Sequence, residues 1–245
     1  MSQIQYMFRN LPPVTKNLII INVVVWLAGV VGGHGFENTL VRFCGLHYFS
    51  ASDFNAAQIV TYMFLHGGFF HLFFNMFTLL MFGGLLERSL GSSRYLFYYV
   101  TCGIGAALAQ EGVWALTWEN TWVSEIASQM GMAPDVVRAE INDLMARGQE
   151  LPFLNYMITV GASGAIFGIL LAFGMLYPNL PTYIMFIPVP VKAKWMVLGY
   201  GVIELWLALS QPGSTVAHFA HLGGMLFGVL LILYWKHRGE IHRYY

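Results

Sequence analysis

The stretch VTYMFLHGGFFHLFFNMFTLLMFGGLL, residues 60–86, contains no Asp, Glu, Lys or Arg. A helix needs about 20 mostly apolar residues to cross the hydrocarbon core of a bilayer, and this run is longer than that. Its few polar side chains include His66, His71 and Asn75. The stretch therefore predicts a membrane-spanning helix that carries polar groups on part of its surface.

The composition of the whole chain also indicates a membrane protein. The 245 residues are 57% hydrophobic and 10% charged, whereas soluble domains carry about 25% charged residues. Disorder is excluded, because it requires low hydrophobicity and high net charge. Binding of nucleic acid by a basic face is not expected, since 12 Lys and Arg residues balance 12 Asp and Glu residues. Two cysteines, Cys44 and Cys102, cannot build a disulfide framework.

Similar apolar runs recur along the chain and predict an all-α membrane protein. We expect a bundle of six transmembrane helices with long extracytoplasmic loops after spans 1 and 3. The predicted division is a cytoplasmic N-terminal segment of residues 1–16, a six-span core of residues 17–235 and a cytoplasmic tail of residues 236–245. The spans are predicted at residues 18–31, 60–86, 95–108, 163–176, 195–209 and 219–235.

The distribution of Lys and Arg predicts the orientation of the bundle. With six spans, nine of the 12 Lys and Arg residues fall on the side of the two termini and three on the opposite side. Because cytoplasmic loops are enriched in these residues, both termini are predicted to be cytoplasmic. The first apolar run could instead be a secretory signal peptide, but no clear cleavage site of small residues follows it.

Two long outer loops are predicted, residues 32–59 and residues 110–159. The second contains APDVVRAEINDLMAR, residues 133–147, in which apolar side chains recur at helical spacing. Two interpretations of this short amphipathic helix stay open. It lies on the membrane surface, or it packs against the rest of its own loop.

Polar groups inside a span are costly, so each one is a candidate functional residue. His71 and Asn75 are four residues apart and share one face of the second span, where both side chains can donate hydrogen bonds. Two donors on one face could stabilise a developing negative charge, although such groups also join helices structurally.

The fourth span opens with Gly161-Ala162-Ser163-Gly164. The flanking glycines permit a tight turn, and Ser163 then lies near a helix N-terminus, where free backbone N–H groups favour an oxyanion. The alternative is a helix-capping serine with glycines used for helix packing.

The sixth span places His221, Gly224 and Gly228 on one face, so a neighbouring helix can come close to the histidine. An alcohol nucleophile needs an adjacent base, and histidine is the usual one. Ser163, His221 and the pair His71 and Asn75 therefore supply a nucleophile, a base and oxyanion donors from three spans.

These motifs resemble those of the rhomboid family of intramembrane serine proteases. The resemblance covers nearly the whole six-span core and rests on three patterns. They are His71-x-x-x-Asn75, Gly161-x-Ser163-Gly164 and Ala220-His221-x-x-Gly224-x-x-x-Gly228.

The resemblance implies a dyad in which Ser163 is the nucleophile and His221 the general base. His71, Asn75 and the Ser163 N–H would hold the oxyanion. Many members have a tyrosine one turn after the serine, stacked on the histidine, and here that position is Phe167. We expect the phenyl ring to stack there too, without the hydrogen bond of a phenol.

The resemblance further implies single-span membrane proteins as substrates, which enter from the bilayer past the second and fifth spans. The loop of residues 210–216 would cap the site. No cofactor and no metal are expected, and the sequence leaves the oligomeric state open. A bare core with a short N-terminal segment suits a bacterial inner membrane, with an organellar membrane as the alternative.

Three other polar residues lie near the predicted site. His66 is expected to pack or to contact a loop, and His218 could tune His221 or line a water entrance. Glu204 is a costly carboxylate within the fifth span, where it could pair with a polar group across the helices or face a cavity. We do not expect it to be a third catalytic member, because its place in that span predicts a position well below the outer face.

Two other functions compete with proteolysis. One is a metal-dependent membrane enzyme that uses His66, His71, His218 and His221. The chain has no H-E-x-x-H motif, and no carboxylate lies at ligand spacing from these histidines in the sequence. The other is a non-catalytic protein of the same fold that binds membrane helices. Such a protein is expected to lose the serine or the histidine, and both are present.

Overall fold

A computed structural model describes residues 10–183, 189–211 and 216–241, which are mostly helical. Short 3-10 turns lie at Tyr62–Phe64 and Pro152–Tyr156, and a π turn at Leu79–Gly83 joins two helices into one continuous run. The helices are α1 (Pro13–Cys44), α2 (Gln58–Thr61), α3 (Phe69–Thr78), α4 (Gly84–Leu90), α5 (Ser92–Met130), α6 (Pro134–Ala146), α7 (Ser163–Leu176), α8 (Ala193–Ser210) and α9 (His218–His237). The strands are β1 (Leu46–His47), β2 (Ile158–Thr159), β3 (Pro181–Thr182) and β4 (Val191–Lys192).

Three helical runs among the described residues are long and apolar enough to cross a membrane. They are Pro13–Cys44, Phe69–Leu90 and His218–His237, with mean hydropathies of 2.0, 1.7 and 1.5. Helix α7 is also apolar but shorter. The chain is therefore a helical membrane protein.

The helices extend into both predicted outer loops, which is a difference from the sequence-based boundaries. Helix α1 continues to Cys44 across a kink at Gly33, whose φ is 75°. Helix α5 has 39 residues, or about 58 Å at 1.5 Å per residue, which is nearly twice the ~30 Å thickness of the hydrocarbon core. The fall in hydropathy after residue 108 marks the end of the apolar run, whereas the helix goes on.

The outer end of α5 is stabilised by the predicted amphipathic helix. That helix is present as α6, and its Val137 and Ile141 are buried in one cluster with Val123 and Ala127 of α5. An ion pair between Arg138 and Glu119 also joins the two helices. This packing corresponds to the second interpretation, in which the helix packs on its own segment. We call α6 and the part of α5 after residue 110 the outer unit.

A short strand pair and a buried carboxylate tie segments of the chain together at the two ends of the bundle. Strands β1 and β2 pair antiparallel, with Leu46 opposite Thr159 and His47 opposite Ile158. They tie the segment after α1 to the segment that leads into α7. At the other end, Glu87 accepts hydrogen bonds from the backbone N–H groups of Val14 and Thr15 at 3.0 and 2.7 Å. These N–H groups lie in the first turn of α1, which lacks partners for them within the helix.

Helices α5, α7 and α9 form the centre of the bundle and pack through small residues. A Cβ placed on Gly168 of α7 would lie 2.5 Å from the buried sulfur of Cys102 on α5. On α9, a Cβ placed on Gly228 would lie 2.4 Å from the Tyr98 hydroxyl. The Tyr98 hydroxyl donates to the Gly168 carbonyl at 2.7 Å. This close packing holds the N-terminal ends of α7 and α9 side by side.

Candidate active site

Ser163 is the first residue of α7, and a glycine turn presents it. Gly161 has a φ of 133°, which side-chain-bearing residues rarely adopt. A Cβ at this position would also lie 2.8 Å from Cε1 and Nε2 of His71. The Gly161 N–H donates to the Tyr62 carbonyl at 2.9 Å, which fixes the turn. Both the backbone conformation and the space therefore require glycine here.

His221 lies in the first turn of α9, with its imidazole against the serine. Its Nε2 is 2.8 Å from the Ser163 Oγ, which is hydrogen-bond distance for a hydroxyl donor. The helices can meet this closely because residue 224 is a glycine. A Cβ at that position would lie only 1.9 Å from the Gly164 carbonyl oxygen. Gly164 in turn faces α5, where its Cβ would lie 2.4 Å from that of Ala106.

Phe167 packs flat on the imidazole of His221. The ring centroids are 4.3 Å apart and the planes are inclined by 11°. The position of Phe167 one helical turn after Ser163 places the phenyl ring there, as the sequence led us to expect. The ring thus limits the tilt of the imidazole and makes no hydrogen bond to it.

His71 lies on α3 with its ring edge next to the serine turn. Its Nδ1 accepts a hydrogen bond from the Gly67 N–H at 3.3 Å. A neutral imidazole that accepts through one nitrogen carries its hydrogen on the other. The Nε2 of His71, beside Gly161, is therefore a donor, as a group that binds an oxyanion must be.

Asn75 and His66 flank His71. The Asn75 side-chain amide is buried, and its Nδ2 donates to the His71 carbonyl one turn earlier at 2.7 Å. The buried ring of His66 meets that of His71 edge to face, with centroids 5.0 Å apart. His66 therefore packs beside the site, while Ser163 and His221 form its centre.

Glu204 of α8 also lies at this site, so its expected position well below the outer face was wrong, whereas it does pair with polar groups across the helices. Its Oε2 is 3.0 Å from the Nδ1 of His221 and 2.7 Å from the Nδ1 of His218. Helix α8 ends at Ser210, so Glu204 lies six residues from the outer end, or about 9 Å along the axis. The carboxylate is thus at the depth of the histidines. The sequence contained a signal for this contact. Glu204 is a lone acid in an apolar span, and the next helix carries two histidines.

The same three side chains are the described residues that could together hold a metal ion. The ligand atoms of Glu204, His218 and His221 all lie within 4.8 Å of one another. No carboxylate lies at ligand spacing from these histidines in the sequence, but the fold brings Glu204 next to His218 and His221. Direct N–O distances of 2.7 and 3.0 Å are those of hydrogen bonds.

A cavity of about 410 Å³ adjoins this cluster on the side of the outer unit. It is lined by His218, by Gln110 and Trp114 of α5 and by the segment around β2. The predicted capping loop borders it through Gln211 and Val216, while residues 212–215 lie outside the described part of the chain. The cavity walls therefore carry both polar and apolar side chains next to the site.

Comparisons with known proteins give a consistent family. A family model described as Rhomboid domain matches residues 53–238. Rhomboid protein 1, mitochondrial, from Saccharomyces cerevisiae is 26% identical over 92% of this chain and 57% of that protein. Rhomboid-like protein 11, chloroplastic, from Arabidopsis thaliana is 26% identical over 88% of this chain and 62% of that protein.

A third relative is bacterial. The putative rhomboid protease YdcA of Bacillus subtilis is 31% identical over 40% of this chain and 48% of that protein. The chain thus spans about three fifths of the length of the first two relatives. Their names give mitochondrial and chloroplast locations, so the comparisons do not support the predicted bacterial inner membrane.

Proposed function

The chain belongs to the rhomboid family, and from this premise we propose that it is an intramembrane serine endopeptidase that cleaves transmembrane segments of single-span proteins. The observation that carries the proposal is the 2.8 Å distance between the Ser163 Oγ and the His221 Nε2. Both side chains lie in the first turns of their helices within an apolar bundle, and the neighbouring His218 lines a cavity with polar and apolar walls.

The proposed reaction begins with attack of the Ser163 Oγ on the scissile carbonyl carbon. His221 accepts the hydroxyl proton through Nε2 as the C–O bond forms. When the C–N bond breaks, the same nitrogen gives that proton to the leaving amine. Water then attacks the acyl-enzyme ester and gives a proton to His221. The imidazolium returns a proton to the Ser163 Oγ as the C–O bond of the ester breaks.

The negative charge that develops on the carbonyl oxygen requires donors. The Nε2–H of His71 lies beside the Ser163 turn, and the Ser163 N–H is free of a helical partner at the first position of α7. Asn75 supplies a further amide on the same helix face. Donors preorganised around an oxyanion contribute strongly to catalysis in a site with little water.

The proposed topology keeps six spans with both termini cytoplasmic. Substrate would enter between α3 and α8. Both helices have large apolar side chains exposed on the protein surface, as a lipid-facing gate requires. They include Phe69, Phe70, Phe73 and Phe74 on α3, and Trp195, Val202, Trp206 and Leu209 on α8. The partners in this proposal are the bilayer and transmembrane substrates.

The test is a cleavage assay in proteoliposomes with a single-span substrate and mass analysis of the products. We expect two fragments cut within or next to the span, and inhibition by a serine-directed fluorophosphonate. A metal chelator should leave the rate unchanged. Loss of activity with the chelator would favour the histidine-based metalloenzyme, and binding without cleavage would favour a non-catalytic protein.

Asn75→Ala tests the oxyanion donors. Loss of one donor should lower kcat by about 10²–10³-fold, which leaves a measurable rate. The matched control is Asn22→Ala, because Asn22 donates to the Leu18 carbonyl with the same four-residue spacing and the same 2.7 Å distance in α1. The control should lose some stability and keep its kcat. A loss in Asn75→Ala as complete as removal of the serine hydroxyl would give Asn75 a different role.

A further inference from the structure

The carboxylate of Glu204 is buried inside the bundle together with two imidazoles. Glu204 is 9% exposed, and His218 and His221 are each 7% exposed. Burial of an ionised carboxylate is costly unless hydrogen bonds compensate for the lost water. Here a single oxygen, Oε2, lies within hydrogen-bond distance of both Nδ1 atoms. Two imidazoles of α9 therefore converge on one carboxylate oxygen of α8.

The contact determines which nitrogen of His221 carries the hydrogen. An ionised carboxylate only accepts hydrogen bonds, so the Nδ1 of His221 must donate to it. The Nε2 then has a free lone pair, and that nitrogen is 2.8 Å from the Ser163 Oγ. Glu204 thus favours the tautomer in which His221 can accept the serine proton.

From this geometry we propose that Glu204 is a positioning residue that completes a Ser163–His221–Glu204 triad, and that His218 holds its carboxylate in place. The inference rests on the proposed function and deepens it. Stacking on Phe167 sets the plane of the imidazole, but a 180° rotation about the Cβ–Cγ bond returns the ring to the same plane with its nitrogen and carbon positions exchanged. The hydrogen bond to Glu204 selects one of the two flipped orientations.

Glu204 also acts electrostatically during the reaction. His221 becomes an imidazolium when it takes the proton of Ser163, and a carboxylate at 3.0 Å from its Nδ1 stabilises that charge. The interaction is strong because water is largely excluded around these groups. If Glu204 only joined α8 to α9, loss of its negative charge would not change the reaction rate in a folded protein.

Glu204→Gln separates the two roles, because glutamine has the same shape and can still accept through its amide oxygen. We expect kcat to fall by at least about 10²-fold with a small change in KM, since replacing the carboxylate of a triad has effects of this size or larger. Glu204→Asp keeps the charge and should recover part of the loss.

The pH profile is the second measurement. A carboxylate that stabilises the imidazolium during the reaction affects the acid limb of kcat/KM, whereas a carboxylate that only joins two helices does not. Removal of the charge in Glu204→Gln should therefore displace that limb. The groups that face His221 are Ser163 on α7, His71 on α3, His218 on α9 and Glu204 on α8, and the variant changes the last one alone.

Glu87→Gln is the matched control. Glu87 is also a buried carboxylate, but it joins α1 to α4 through backbone hydrogen bonds at the other end of the bundle. The control should lower the thermal stability and leave the acid limb where it is in the wild type. If Glu204 is a positioning residue, Glu204→Gln should displace the acid limb, whatever its effect on thermal stability.

The rate of fluorophosphonate labelling is measured beside cleavage, because it reports activation of Ser163 without a transmembrane substrate. Slower labelling of Glu204→Gln together with a shifted acid limb supports the inference. Equal labelling rates and equal acid limbs in wild type and Glu204→Gln overturn it. A wild type that is labelled at Ser163 but cleaves no substrate overturns the proposed endopeptidase activity, and the labelling rates then still decide the role of Glu204.

Discussion

Ser163→Ala is expected to abolish cleavage while the protein stays folded. The variant removes the oxygen that attacks the substrate, and the remaining groups can only bind and polarise the carbonyl. In a serine protease such a loss lowers kcat by about 10⁶-fold. The hydrogen bond to His221 that is also lost contributes about 1 kcal/mol, so thermal unfolding should change little. Cleavage in proteoliposomes and fluorophosphonate labelling measure the loss of the nucleophile, and thermal unfolding checks that the variant stays folded.

Ser89→Ala is the control for this result. Ser89 also carries a half-buried hydroxyl, which donates to the Leu85 carbonyl at 2.8 Å and contacts Tyr177 on the far side of the bundle. Its loss should leave both cleavage and labelling intact. If Ser163→Ala kept the wild-type rate of cleavage, the serine mechanism would have to be abandoned.

Gly224→Val is expected to lower both activity and stability, because it separates the nucleophile from its base. The first side-chain carbon would lie 1.9 Å from the Gly164 carbonyl oxygen, and this distance must grow by about 1 Å before it matches any real Cβ contact. A misplacement of 1 Å can cost about 10²-fold in rate. Because overpacking typically costs about 1–3 kcal/mol, the melting temperature should fall as well. Cleavage rate and thermal unfolding are measured together.

Gly112→Val makes the same substitution where there is room. A Cβ on Gly112 of α5 meets no heavy atom within 4 Å. This control should therefore keep its activity and most of its stability. Full activity of Gly224→Val would mean that α7 and α9 do not approach each other at this glycine in the working enzyme.

The central part of the site follows from the sequence because its members lie on strongly apolar helices. A helix repeats every 3.6 residues, so the spacing between Ser163 and Phe167, or between His221 and Gly224, sets which side chains share a face. The structure brings Ser163, His221, Phe167 and His71 together through such faces. Their chemical roles are part of the proposal and depend on the variants above.

The role of Glu204 could not be derived in the same way. Its contacts are with α9, and they depend on how far α8 runs and how it is rotated. Neither property is encoded in the periodicity of α8 itself, where apolar residues surround the acid on all sides. A helix of this kind reveals its inward face only through its neighbours.

The helices extend beyond the predicted spans for a related reason. Hydropathy locates the apolar part of a helix, and in α5 the apolar run ends near residue 108 whereas the helix continues to Met130. The extension is held by apolar contacts such as those of Val123 and Ile141, which come from two separate segments. The sequence of α6 revealed a helix but left open the surface on which it packs.

The strand pair between β1 and β2 has a practical consequence for experiments. It ties the chain just before Ser163 to the segment after α1, while residues 145–150, around the turn at Gly148, are exposed. A fluorophore or an affinity tag inserted there would be separated along the chain from the nucleophile by the paired strand β2. That turn is thus a suitable handle for attaching the enzyme to a surface for single-molecule recordings.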